Sequence, residues 1–84
     1  MDIREKIRYY ILQNFLFTDD ESALTDGDSF LAGGIIDSTG VLEIIYFIEE
    51  TFGMCVNEEE MLPENLDSVN NLVAFVSRKQ AVAA

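Results

Sequence analysis

The chain has 84 residues with one cysteine and no histidine, and sixteen acids against five bases leave a net charge of −11. That length suits one small domain, residues 1–84, and a hydrophobic share of 49% excludes a disordered polyanion. A field of one sign excludes nucleic acid and anionic membranes as partners, and a lone Cys55 excludes an internal disulfide.

The first residues, Met1-Asp2-Ile3-Arg4-Glu5-Lys6, lack the apolar run of a signal peptide, and no later stretch has the length of a membrane span. A cytoplasmic protein is therefore expected. Ile3, Ile7, Ile11 and Phe15 recur every fourth residue, with Leu12 widening the stripe, which predicts an amphipathic helix over residues 2–16. Asp2 and Glu5 suit the positive end of its dipole. Residues 18–37 break the period. Thr18, Asp19, Asp20, Ser22, Thr25, Asp26, Gly27, Asp28, Gly33 and Gly34 are turn chemistry. Phe30 and Leu31, with Ala32, are expected to pin this loop to the core. A loop of that length is unusual in a small domain and points to a functional segment. Its Asp26-Gly27-Asp28 stretch lacks the alternating ligands and terminal glutamate of a calcium loop, so no metal site is expected.

The clearest helix is predicted over residues 38–52. At about 100° per residue, Val41, Ile45, Ile48 and Phe52 share one face, flanked by Ile44. Asp37 or Ser38 can cap its start, and Gly53 is a natural terminator. Met54-Cys55-Val56 reads as a strand-like or loop entry, with Cys55 expected to be a small buried residue. A helical turn capped by Asn57 and carrying Glu58, Glu59 and Glu60 is expected to end at Pro63. The last helix is predicted from near Asp67 or Ser68, with Val69, Leu72, Val73 and Val76 inward. Arg78 and Lys79 are expected in its final turn, and Ala81–Ala84 are expected to fray. The fold class is thus all-α, a small bundle of three main helices and one short one.

Ser38 stands out chemically. A glycine-containing loop, Gly33-Gly34-Ile35-Ile36-Asp37, delivers it to the head of the apolar helix. Nucleophilic catalysis needs a base within hydrogen-bond reach, yet histidine is absent and the lysines stand at positions 6 and 79. The serine is better suited to be modified than to attack. Residues 9–77 hold fourteen acids and no base, a field that favours encounter with basic protein surfaces. Leu42 and Tyr46, one turn apart, face away from the apolar stripe. Thr39, Glu43 and Glu50 lie on that outer side and Phe47 borders it, so the strip reads as a recognition surface. The bland alternative packs Leu42 and Tyr46 beneath the 18–37 loop.

Together these elements resemble the phosphopantetheine-dependent carrier proteins. The matching parts are the first helix, the long loop, Asp37-Ser38 opening an acidic helix, Glu49-Glu50-Thr51-Phe52-Gly53 closing it, and a short helix before the last, across residues 3–79. The resemblance implies an acyl-carrier-protein-like bundle whose Ser38 accepts a 4′-phosphopantetheine arm through a phosphodiester, with Asp37 helping to hold magnesium during modification. It implies an acyl or aminoacyl cargo carried as a thioester by a protein that is not itself an enzyme. Thr39, Leu42, Glu43, Tyr46 and Glu50 would be the docking residues, and Phe30, Ile45, Ile48, Met61 and Leu66 the cargo space. The implied partners are a phosphopantetheinyl transferase, a cargo-loading ligase or adenylating enzyme, and a downstream acyl-transfer enzyme, all met by a monomer. Fatty-acid carriers usually have leucine after the serine. Asp37-Ser38-Thr39-Gly40 is closer to the discrete aminoacyl and D-alanyl carriers. The rival reading is an acidic helical interaction module in which Ser38 is an ordinary helix cap.

Overall fold

The computed structural model describes residues 2–83 and is built from helices, with no strand among the described residues. Helix α1 (Ile3–Ile11) begins where the Asp2 carboxylate accepts the Glu5 amide at 2.8 Å. Its last turn relaxes into one turn of π-helix, Leu12–Leu16, and ends at Phe17 in the left-handed region, φ 54°. A 3₁₀ turn, Glu21–Ala23, follows within the long loop. Helix α2 (Ser38–Phe52) is capped by Asp37 and closed by Gly53 at φ 64°. A second 3₁₀ turn (Glu58–Glu60), the single-turn helix α3 (Pro63–Leu66) and helix α4 (Val69–Ala83) complete the bundle.

The core is assembled from all four α-helices and the segments that join them. Ile7 and Ile11 of α1, Ile44 and Ile48 of α2, and Val69, Leu72, Phe75 and Val76 of α4 are almost wholly buried. Leu24, Phe30 and Ile36 reach it from the loop, Met54 and Val56 from the connection after α2, and Leu66 from α3. Each such side chain contributes roughly 1.5–3 kcal/mol. A surface ion pair contributes about 0–1 kcal/mol, so packing, not pairing, holds the bundle.

Three polar knots fix the loop and the α3 segment on this core. Asp26 receives Arg4 at 2.6 Å and Arg8 at 2.5 Å, and its carbonyl accepts the Asn70 amide at 3.0 Å. Asp67 accepts the Leu31 amide at 3.0 Å and the Ser29 hydroxyl, while its carbonyl accepts the Phe30 amide at 2.8 Å. Glu60 receives Lys79 at 2.8 Å, and its carbonyl accepts Asn65.

Several sequence expectations are corrected. In α2 the most buried line is Gly40, Ile44 and Ile48, while Val41 and Phe52 are only partly buried. This helix is apolar on most sides, so periodicity leaves its phase open. Close approach at Gly40 sets it, since a Cβ there would stand 2.7 Å from Ile36 Cγ2 and 2.9 Å from Phe15 Cε1. Phe30 pins the loop, but Leu31 and Ala32 are exposed. Cys55 is also exposed, because Met54 and Val56 on either side turn inward. Pro63 opens α3 at its first position instead of ending the preceding turn, where its missing N–H costs nothing. Helix α4 continues through Ala83, so residues 81–83 are helical and Arg78 and Lys79 lie before its final turn. They bond Asn65 and Glu60, not the last carbonyls. Ala84, also expected to fray, lies outside the described residues.

Candidate functional site

Ser38 is the first residue of α2 and is exposed. Asp37, in extended backbone, accepts the Gly40 amide through Oδ1 at 2.8 Å, and its carbonyl accepts the Val41 amide at 3.1 Å. Asp37, not Ser38, is therefore the cap. Asp37 Oδ2 and Ser38 Oγ have no internal hydrogen-bond partner among the described residues. The first amides of α2 have no carbonyl of their own helix to reach, so the positive end of a fifteen-residue helix faces outward at Ser38.

An apolar cleft of about 200 Å³ opens beside the hydroxyl. Its walls are Leu31 of the loop, Val41 of α2, and Met61, Leu62, Pro63 and Leu66 of the α3 segment, with Asp67 at one edge. The Asp67 bonds to the loop set the separation of these walls. A second depression is shared by Phe17, Asp37, Thr39 and Glu43, with Phe15 and Ile35 beneath. Neither depression is lined by a base.

Of the side chains assigned to a cargo space, Met61 and Leu66 line the cleft. Phe30, Ile45 and Ile48 are core residues, 1%, 6% and 0% exposed. The residues assigned to docking, Thr39, Leu42, Glu43, Tyr46 and Glu50, are all exposed on α2. Leu42 and Tyr46 are 55% and 69% exposed, which removes the alternative that they pack beneath the loop. Phe47 is a packing residue, stacked on Tyr10 with centroids 4.0 Å apart. Sequence reasoning missed Leu31, Val41, Leu62, Pro63 and Asp67 as parts of the cleft. Only Pro63, a residue suited to the first position of a helical turn, offered a signal.

Charge around the site is uncompensated. Arg4 and Arg8 are drawn to Asp26, Lys79 to Glu60 and Arg78 to Asn65, while Lys6 lies over the Phe52 ring at 5.7 Å. Partial burial pushes the Asp26 carboxyl up, but the Arg8 and Arg4 guanidiniums outweigh it and hold it below the ordinary range. The Lys79 ammonium, helped by the Asn57 amide, likewise lowers Glu60. The five cations are thus engaged elsewhere, and Asp37 and Glu43 dominate the head of α2.

A four-helix bundle that presents one unhindered serine, behind a capping aspartate, at the head of an acid-fringed second helix defines a carrier-type domain. No family model matches the chain. It is similar to the D-alanyl carrier proteins of two Streptococcus suis strains, 05ZYH33 and 98HAH33, at 34% and 33% identity over 76 residues. In each comparison those residues span 90% of this chain and 92% of the relative. The chain belongs to the phosphopantetheine-dependent carrier protein family.

Proposed function

We propose that the chain acts as one carrier unit whose Ser38 accepts a 4′-phosphopantetheine arm from a phosphopantetheinyl transferase. The observation that carries this reading is the exposed Ser38 hydroxyl at the first position of α2, in a chain with no histidine to activate it. The site fits the group in three respects. The hydroxyl belongs to an exposed residue, the positive end of α2 favours a phosphate by about 0.3–1 kcal/mol, and the adjoining cleft is mostly apolar. Asp37 serves twice: Oδ1 holds the first turn of α2, and the unengaged Oδ2 helps hold magnesium while the transferase acts.

Once attached, the arm supplies a terminal thiol that holds cargo as a thioester. The protein's own residues bind and present, and do no bond chemistry. Leu31, Val41, Met61, Leu62 and Leu66 shelter the arm or its cargo from water. Thr39, Leu42, Glu43, Tyr46 and Glu50 meet the loading ligase or adenylating enzyme and the downstream acyl-transfer enzyme. The name shared by the relatives, D-alanyl carrier protein, favours an aminoacyl cargo. The small cleft favours it too, since about 200 Å³ suits a short group better than a long acyl tail.

Incubation with coenzyme A, magnesium and a broad-specificity phosphopantetheinyl transferase, followed by intact-mass measurement, tests the reading. A gain of one phosphopantetheine, lost in Ser38→Ala, is the expected result. No gain would leave an acidic interaction module in which Ser38 is merely the first residue of a capped helix.

A further inference from the structure

Phe17 breaks a local rule: a bulky aromatic holds a backbone conformation that favours glycine. It ends the π-turn with φ 54° and ψ 44°, the one non-glycine residue with positive φ among the described residues. The amides of Phe17 and Thr18 both close on the Leu12 carbonyl, which fixes this geometry. Glycine or asparagine normally fills such a position, because a large side chain crowds the backbone there. A bulky aromatic held in this conformation is ordinarily compensated by packing, yet the Phe17 side chain is 79% exposed, the highest value among the exposed large hydrophobic residues. Local rules broken without internal gain are expected where function demands them.

Its position supplies the demand. Phe17 lines the same depression as Asp37 and Thr39, the residues on either side of Ser38, and as Glu43 one turn further along α2. The depression therefore carries an aromatic projection beside two carboxylates and no base. Aromatic anchors rimmed by charge are the usual centres of protein interfaces. Charge complementarity then fixes the occupant as a protein whose contact face is basic around an apolar pocket.

We infer that Phe17 is a docking anchor for the enzyme that modifies Ser38, inserting into an apolar pocket rimmed by lysine or arginine on that enzyme. The inference rests on the reading of Ser38 above. It adds a contact from the end of α1 to the docking strip on α2, so the partner straddles the two elements that flank the serine.

The test compares Phe17→Gly, Phe17→Tyr and the unaltered chain as substrates of a phosphopantetheinyl transferase, with thermal unfolding recorded for each. Glycine relieves the left-handed crowding, so the midpoint of Phe17→Gly is expected to hold or rise. Its kcat/KM for modification is expected to fall roughly tenfold through KM, with Phe17→Tyr close to the unaltered chain. Unchanged kinetics in Phe17→Gly, or a loss that follows a fall in its unfolding midpoint, overturns the anchor while leaving Ser38 as the modified residue. No modification of the unaltered chain overturns the Ser38 reading and the anchor with it.

Discussion

Gly40 lies so close to Ile36 that a Cβ at position 40 would stand 2.7 Å from Ile36 Cγ2, inside contact distance. Phe15 closes the other side at 2.9 Å. The glycine two residues after Ser38 is therefore a packing requirement that brings the end of α1 against the first turn of α2. Gly40→Ala would gain up to about 1 kcal/mol of helix propensity but incur overpacking of roughly 1–3 kcal/mol. Net destabilisation of up to about 2 kcal/mol is expected in urea unfolding, with slower modification of Ser38 as α2 shifts. An equal or higher stability would mean that Ile36 and Phe15 yield freely.

The Asp26 knot sets an acid limb to stability. Arg8 and Arg4 hold its native pKa below the ordinary 3.8. The unfolded chain therefore takes up the proton first as pH falls. The contribution is complete above the unfolded value and is lost as pH drops through the lower native one. Asp26→Asn is expected to destabilise the protein near neutrality by on the order of 1–2 kcal/mol and to flatten its stability profile below about pH 4. An unaltered acid profile would show that the two arginines do not sense this carboxylate.

The acidic strip on α2 is expected to govern encounter. Glu43→Lys together with Glu50→Lys leaves stability within about 0.5 kcal/mol, because both residues are exposed. The pair is expected to lower kcat/KM for modification and cargo loading and to weaken its salt dependence. Variant kinetics equal to those of the unaltered chain, at low and at high salt, would remove α2 from the docking surface.

Leu42 and Tyr46 form the apolar part of that strip. Tyr46→Ala, at a side chain 69% exposed, is expected to preserve the unfolding midpoint and raise KM for the loading enzyme. A fall in stability without a change in KM would assign Tyr46 to packing instead.

Cys55 offers a native thiol count. Its exposed sulfur is expected to react with a thiol reagent without denaturant, giving one equivalent per chain and two after the arm is attached. Cys55→Ser is expected to give none before attachment and one after. A Cys55 that reacts only in denaturant would contradict its exposure.

The helices were legible because their apolar residues recur at helical spacing and because Asp37, Asn57, Ser68 and Gly53 carry end signals in their own chemistry. Ser68 caps α4 by accepting the Asn71 amide at 3.0 Å, as the sequence allowed. Ser38 stood out in the sequence for a different reason: the chain holds no histidine, and residues 9–77 hold no lysine or arginine, to make it a nucleophile. What stayed hidden depends on contacts between distant segments. The phase of α2 is set by Gly40 against Ile36 and Phe15, and the cleft by Asp67 bonded to Ser29 and Leu31, 38 and 36 residues away. Pro63 allows either the end of one turn or the beginning of another, and only the placement of Leu66 in the core decides between them. Phe75, fully buried in α4, was passed over because Leu72, Val73 and Val76 already satisfied the pattern.

The single-turn length of α3 gives the cleft two sides of unequal stiffness. Val41 belongs to a helix of fifteen residues, whereas Leu66 belongs to one of four, too short to persist without its neighbours. Under the proposed carrier reading, groups of different girth would be accommodated by yielding at that weaker wall, while α2 holds Ser38 at a constant bearing.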